Sequence, residues 1–166
     1  MLTLLLMRHA KSSWDDSQLS DHDRPLNARG LRSAPRMGRL LREQGLVPQL
    51  IVTSTARRAM DTAHAIVTAV GYDGRIEVTR RLYLAEPEVY LEVLSELEPR
   101  HGRVLVIGHN PGIAQLVEQL TGVAEEMPTA AIAQVELDVA DVSEIAVRSP
   151  EPTGRLRAVF RPKELD

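Results

Sequence analysis

The chain contains no cysteine. Disulfides, thiolate metal sites and cysteine nucleophiles are thereby excluded, and with nothing calling for an oxidising compartment the expected address is cytoplasmic. Aromatic residues are scarce: one Trp, one Phe and three Tyr among 166 residues leave little from which to build a base-stacking platform. The formal net charge is only −3, so no global field draws the chain to nucleic acid, and none is expected as a partner. Long hydrophobic runs are also missing. The opening stretch Leu2-Thr3-Leu4-Leu5-Leu6-Met7 has no basic segment before it and stops at Arg8, too short for a signal-peptide core or a membrane span. There is no Gly-x-x-x-x-Gly-Lys phosphate loop, no internal repeat and no composition shift that would mark a linker. Residues 1–166 are expected to form a single domain, large enough to bury a core without staples.

What is present is a set of short apolar runs that end in polar, chemically capable residues. Leu2 to Met7 reads as a buried strand and delivers Arg8 and His9 at its carboxyl end, where open α/β sheets place their ligands. Leu50-Ile51-Val52 leads through Thr53 and Ser54 to Arg57, and Val104-Leu105-Val106-Ile107-Gly108 leads to His109. Two arginines and two histidines are thus expected on one rim.

Helical patterns separate these strands. Asn27 is placed to cap a helix running to about Gln44 before Gly45, with Leu31, Ala34, Gly38 and Leu41 on its inner face and Pro35 kinking it. The same helix carries Arg29, Arg32, Arg36, Arg39 and Arg42, a basic stripe that is either a solvated face or a dock for an acidic partner. Ser54 is expected to cap a second helix ending near Gly71, with Ala59, Thr62, Ala63 and Ile66 inward. Pro87 opens a third, and Asn110-Pro111 a fourth, as N-cap and first helical residue. Near the C-terminus, alternation over 134–139 and 155–161 points to antiparallel or edge strands. The expected fold is a three-layer α/β/α sandwich with a mainly parallel central sheet.

Guanidiniums and imidazoles converging on strand ends suit a phosphoryl group, because planar arginine forks match phosphate oxygens and helix N-termini favour anions. Arg57, in the first turn of its helix, would be relieved by a bound anion; the structural alternative is an ion pair with Asp61 one turn on. A His22-Asp23 pair without further spaced ligands is a weak metal signal.

Three segments carry a family resemblance: Arg8-His9-Ala10, Ser54-Thr55-Ala56-Arg57-Arg58-Ala59-Met60-Asp61-Thr62-Ala63, and Gly108-His109-Asn110-Pro111-Gly112. They resemble the signatures of the histidine phosphatase superfamily, whose fold is phosphoglycerate mutase-like. The short SixA-type phosphohistidine phosphatase branch is the most similar, through Arg8 to Trp14, Asp21 to Gly30 and the late Arg161-Pro162-Lys163-Glu164-Leu165. Ala10 stands where the superfamily usually has glycine, as it does in that branch.

The resemblance implies that His9 attacks phosphorus and becomes a transient phosphohistidine, while Arg8, Arg57 and His109 bind the phosphoryl oxygens without a metal or other cofactor. Cations beside His9 would lower its pKa and a backbone carbonyl could fix its tautomer, while His109 would work protonated, the two pKa values being pushed apart by a bound anion. Glu86, near the position of the acid in mutase-like relatives, and Asp21, in the loop after the first strand, are the candidate proton donors. Glu86 could instead favour the N-terminus of the Pro87 helix. Arg24 is a further candidate for the phosphate pocket. The expected partner is a phosphohistidine protein or a small phosphorylated metabolite. The rival readings are a broad phosphomonoesterase and a non-catalytic phosphoprotein-binding module.

Overall fold

The computed structural model describes residues 1–99, 101–147 and 151–165. A six-stranded sheet is built from β1 (Leu2–Arg8), β2 (Leu50–Ser54), β3 (Ile76–Thr79), β4 (Arg103–Gly108), β5 (Ile132–Leu137) and β6 (Gly154–Phe160), in the order β3-β2-β4-β1-β5-β6. The first four strands are parallel, and β5 is antiparallel to both of its neighbours, β1 and β6. Helices cover both faces, so the architecture is the expected α/β/α sandwich.

The uninterrupted apolar runs follow from burial on both sides of the sheet. Successive side chains alternate between faces. Leu4 and Leu6 join Val52, Val104 and Val106 beneath α3 (Pro87–Ser95) and α4 (Gly112–Thr121). Leu5 and Met7 join Ile51, Leu105 and Ile107 beneath α1 (Ala28–Glu43) and α2 (Arg57–Val70). Through α1 and α2 the chain steps outward from β1 to β2 and β3, and through α3 it returns to β4. Right-handed crossovers in opposite directions put these helices on opposite faces.

Asn27 caps α1, its side chain accepting from Gly30 N–H at 2.9 Å. Ala34, Gly38 and Leu41 are buried as expected, but Leu31 is 63% exposed. The buried stripe instead begins at Gly30, whose missing Cβ lets the helix lie against the Lys11 carbonyl, and it continues through Met37. Pro35 lies within an unbroken helix, and Gly45 follows it at φ +69°. Two helix starts differ from expectation. Helix α2 begins at Arg57 with Ala56 as N-cap, because Ser54 is still the last residue of β2. Helix α4 begins at Gly112 with Pro111 as N-cap, and Asn110 Oδ1 reaches forward to the Ala114 N–H at 3.3 Å.

The C-terminal pair shows the expected alternation: Val135 and Leu137 are buried, Arg155 and Arg157 exposed. Only β6 of the pair is an edge; β5 lies between it and β1. No helix among the described residues is long and apolar enough to cross a membrane.

Candidate active site

Because β2, β4 and β1 are parallel neighbours, their carboxyl ends form one rim, with Thr53 in register with Ile107 and Arg8 with Gly108. The chain leaves β1 under restraint: His9 N–H donates to the Gly108 carbonyl at 3.0 Å and Ala10 N–H to Thr62 Oγ1 at 3.0 Å. On the next strand, Gly108 has no Cβ because one would collide with the Tyr90 hydroxyl. That hydroxyl accepts from the His109 N–H at 3.1 Å. The result is two imidazoles with ring centroids 5.2 Å apart.

His9 Nδ1 lies 2.7 Å from the Ala10 carbonyl. A carbonyl can only accept, so Nδ1 carries the proton and Nε2 keeps its lone pair. Arg58 Nε donates to that Nε2 at 3.3 Å. Burial lowers the His9 pKa to about 4, helped by Arg58, Arg8 and Arg24 and opposed by the Ala10 bond. The ring is therefore neutral at neutral pH and presents a nucleophilic nitrogen to a cluster of cations.

His109 Nε2 is 2.8 Å from Ser54 Oγ, and its Nδ1 is 3.5 Å from Arg58 Nη2. Burial, then His9 and Arg58, lower it to about 3. The protein's own charges thus push both rings the same way. Any separation of the two pKa values has to come from the charge of a bound anion itself.

The arginine on this rim is Arg58, not Arg57. Arg57 points outward with a side chain 57% exposed and pairs with Asp61 at 3.8 Å, the structural alternative weighed for it. Arg58, only 3% exposed, donates to the Asp21 carbonyl at 2.6 Å and to Asp21 Oδ2 at 3.0 Å. The inner face marked by Ala59, Thr62 and Ala63 is the expected one, and Arg58, one turn before Thr62, lies on it while Arg57, a rotation of about 100° away, does not.

Arg8 and Arg24 complete the cationic wall. Arg8 Nη1 donates to the Met127 carbonyl at 3.3 Å, and burial together with Arg58 lowers its pKa. Arg24 is buried, with its guanidinium 3.3 Å from the ring centroid of Trp14, itself 72% exposed. Arg24 Nε is at ion-pair distance from Asp21 Oδ1, 3.4 Å, without hydrogen-bond alignment. Among the described residues, Arg8 Nε and Arg24 Nε are buried N–H groups with no hydrogen-bond partner. Such donors are costly unless an acceptor reaches them. They border a cleft of ≈ 190 Å³ lined by Arg8, His9, Arg24, Arg58 and His109, with Lys11, Trp14, Leu84 and Thr129 around them and no carboxylate in its lining.

Neither candidate acid is placed to give up a proton in this cleft. Asp21 accepts from the Tyr83 hydroxyl and from Arg58, bonds that hold its carboxyl below the usual range. It acts as a tether for Arg58. Glu86 is exposed at the N-cap of α3 and lies outside the cleft lining, because Pro87 starts the helix beyond it. His22 bonds Thr55 Oγ1 at 2.8 Å and Asp23 at 3.2 Å. Among the described residues no three His, Cys, Asp or Glu side chains gather as a metal ion would require.

Three site residues differ from expectation: from the sequence Arg58 is only the less favoured neighbour of Arg57, Ser54 a cap, and Tyr83 is unassigned. Arg58 was signalled by its place one turn before Thr62. Ser54, expected as a cap, holds His109. Tyr83 meets His109 edge-on at 5.5 Å and His22 at 4.9 Å, but it sits beside a single 3-10 turn and carries no periodic signal.

Comparison with known proteins agrees with this geometry. An uncharacterized chloroplastic protein of Arabidopsis thaliana is 31% identical over 137 residues, covering 76% of this chain and 62% of that protein; the chain thus spans less than two thirds of that relative. A protein from Agrobacterium tumefaciens assigned as the phosphohistidine phosphatase SixA has a crystal structure that matches at TM-score 0.81 and 26% identity, covering 97% of this chain and 98% of that one. The protein histidine phosphatase SixA complexed with tungstate matches at TM-score 0.79 and 25% identity, over 99% and 100% of the two chains. Residues 4–86, half of the 166, match the model of branch 1 of the histidine phosphatase superfamily, and with the same fold throughout, the chain belongs to that superfamily.

Proposed function

We propose that this chain is a protein phosphohistidine phosphatase that works through transient phosphorylation of its own His9. One observation carries the reading: a neutral imidazole with an unprotonated Nε2 faces three largely buried guanidiniums in a cleft whose lining holds no carboxylic acid. The tungstate complex of the SixA neighbour supports an oxyanion in a cleft of this kind.

In the first step His9 Nε2 attacks phosphorus and the bond from phosphorus to the substrate nitrogen breaks, its electron pair leaving with the substrate imidazole. In the second, water attacks phosphorus, the Nε2–P bond breaks, and inorganic phosphate departs. Charge spreads over the phosphoryl oxygens in each transition state, so positioning and electrostatics supply the catalysis. Arg8, Arg24 and Arg58 provide fixed donors for those oxygens, and His109 becomes a further donor when the phosphoryl charge favours its protonation. The Ala10 carbonyl holds the reactive tautomer throughout.

The leaving group decides between substrates. An alkoxide leaves only if it gains a proton, and Asp21 is held ionised while Glu86 is outside the cleft. A phosphohistidine protonated by solvent on its other ring nitrogen, a site whose ordinary pKa is about 6.5, releases a neutral imidazole, so no dedicated carboxylic acid in the cleft is required. The cleft volume of ≈ 190 Å³ is also below the about 300–1,000 Å³ of sites that enclose a whole small ligand. It holds a phosphoryl group while the body of the substrate lies outside.

Parallel turnover on a phosphohistidine protein, a sugar phosphate and an aryl phosphate tests the reading. Preference for the phosphohistidine protein is expected. Selectivity for the monoesters would overturn it in favour of a broad phosphomonoesterase.

A further inference from the structure

A second concave surface runs from the cleft. Thr129, in the cleft wall, also borders a neighbouring groove of ≈ 270 Å³ lined by Arg29, Ser33, Pro162 and Lys163. Those four residues continue into a groove of ≈ 320 Å³ completed by Arg32 and Arg36. The two grooves and the cleft therefore form a track between the start of α1 and the C-terminal turn Pro162–Leu165.

The far part of this track has one sign of charge. Among the described residues its lining holds Arg29, Arg32, Arg36 and Lys163 and no carboxylate, in a chain whose net charge is −3. Arg36 is engaged with the Leu165 carbonyl at 2.5 Å and fastens the C-terminal turn to α1. Arg29 and Arg32 are exposed. They also stand in the first turns of a helix with no acidic residue there to balance its dipole, where cations are disfavoured. Nearer the cleft, the carboxylates of Glu126 and Glu164 share the lining with Arg161, which lies 3.5 Å from Glu164 and 2.7 Å from Glu125. The uncompensated positive charge is concentrated at Arg29, Arg32 and Lys163.

We infer that this track docks an acidic, extended segment flanking the phosphorylated residue of the substrate protein. The identity of that partner as a phosphoprotein rests on the function proposed above; the charge complementarity does not. From Arg29 to Arg36 the helix rises about 10 Å, the span of about three residues of extended chain. Three consecutive carboxylates would match the cations along it, and the shared Thr129 wall would lead the chain from the track to the cleft.

The test uses labelled peptides bearing a non-hydrolysable phosphonate analogue of phosphohistidine, flanked by three Glu or by three Gln. Binding to the full chain is followed by anisotropy at low salt, with phosphoramidate turnover as a separate readout of the chemistry. The acidic peptide is expected to bind about tenfold more tightly, with the advantage fading as salt screens the exposed charges. An Arg29→Gln, Arg32→Gln double variant should lose that advantage while keeping phosphoramidate turnover, and Arg39→Gln, on the same helix but outside the track, should retain both. Equal binding of the two peptides, or an acidic preference that survives in the double variant, would overturn the inference. Failure of the wild-type chain to turn over phosphoramidate would instead sink the phosphatase reading and leave the docking result legible.

Discussion

Two sets of arginines on this molecule carry the same charge in opposite surroundings. Arg8, Arg24 and Arg58 are largely out of water, held by carbonyls, by Asp21 and by the face of Trp14. Arg29 and Arg32 on α1 are exposed, and no ion pair restrains them among the described residues. Fixed geometry in a low-dielectric cleft suits the first set to the proposed clamp, where each donor is worth far more than in water. Exposure and screening suit the second set to the proposed docking of an acidic segment. Sequence spacing alone does not separate the two; burial does.

The largest effect should come from the buried set. Arg58→Ala removes the donor to His9 Nε2 and the link to Asp21, and kcat/KM is expected to fall by about a thousandfold. A fall of less than tenfold in steady-state kinetics would show that the buried arginines are not a clamp.

The second prediction concerns acid stability. The folded pKa values of His9 and His109, about 4 and about 3, lie below the ordinary 6.5. Between those values the unfolded chain binds more protons. The contribution of these rings is therefore complete above pH 6.5 and is lost as pH falls towards 4. Denaturant titrations should show His9→Gln losing less stability than wild type over that window, by on the order of 2 kcal/mol. Identical pH slopes would contradict the burial argument. Turnover should not fall through protonation of His9 until about pH 4.

Smaller effects mark the edge of the comparison. Trp14→Ala removes the face on which Arg24 rests and should raise KM a few-fold with little change in kcat. Arg57→Ala, which breaks only an exposed pair with Asp61, should alter kcat/KM by less than about twofold. A large loss there would reverse the assignment of Arg57 and Arg58.

The place of Arg58 on the rim where Arg57 was expected marks how far the fold is legible in the sequence. Strands β1, β2 and β4 were legible because burial on both faces leaves unbroken apolar runs, and a parallel sheet brings their ends together. His9, Arg8 and His109 followed directly onto one rim. The short edge strand β3, Ile76–Thr79, is half-buried and gave no comparable run. Helix starts were legible only to within two residues, yet the inner face of α2 was legible throughout, and Arg58 belongs to it through its spacing of four from Thr62. Ser54 looked like a cap because its hydroxyl can serve as one; in the fold it still belongs to β2 and bonds His109. Tyr83 and Asp21 meet across 62 residues from irregular segments, and no periodicity reports such a contact. The carboxylates, attractive as acids by residue type, turned out to be a tether and a helix cap position.

The central claim is that His9 carries the phosphoryl group. Brief reaction with a radiolabelled phosphoryl donor, followed by alkaline quenching and peptide mapping, tests it most directly. An acid-labile, alkali-stable label is expected on His9, and it should be absent, together with turnover, in His9→Ala. Label on any other residue, or hydrolysis undiminished in that variant, would contradict it.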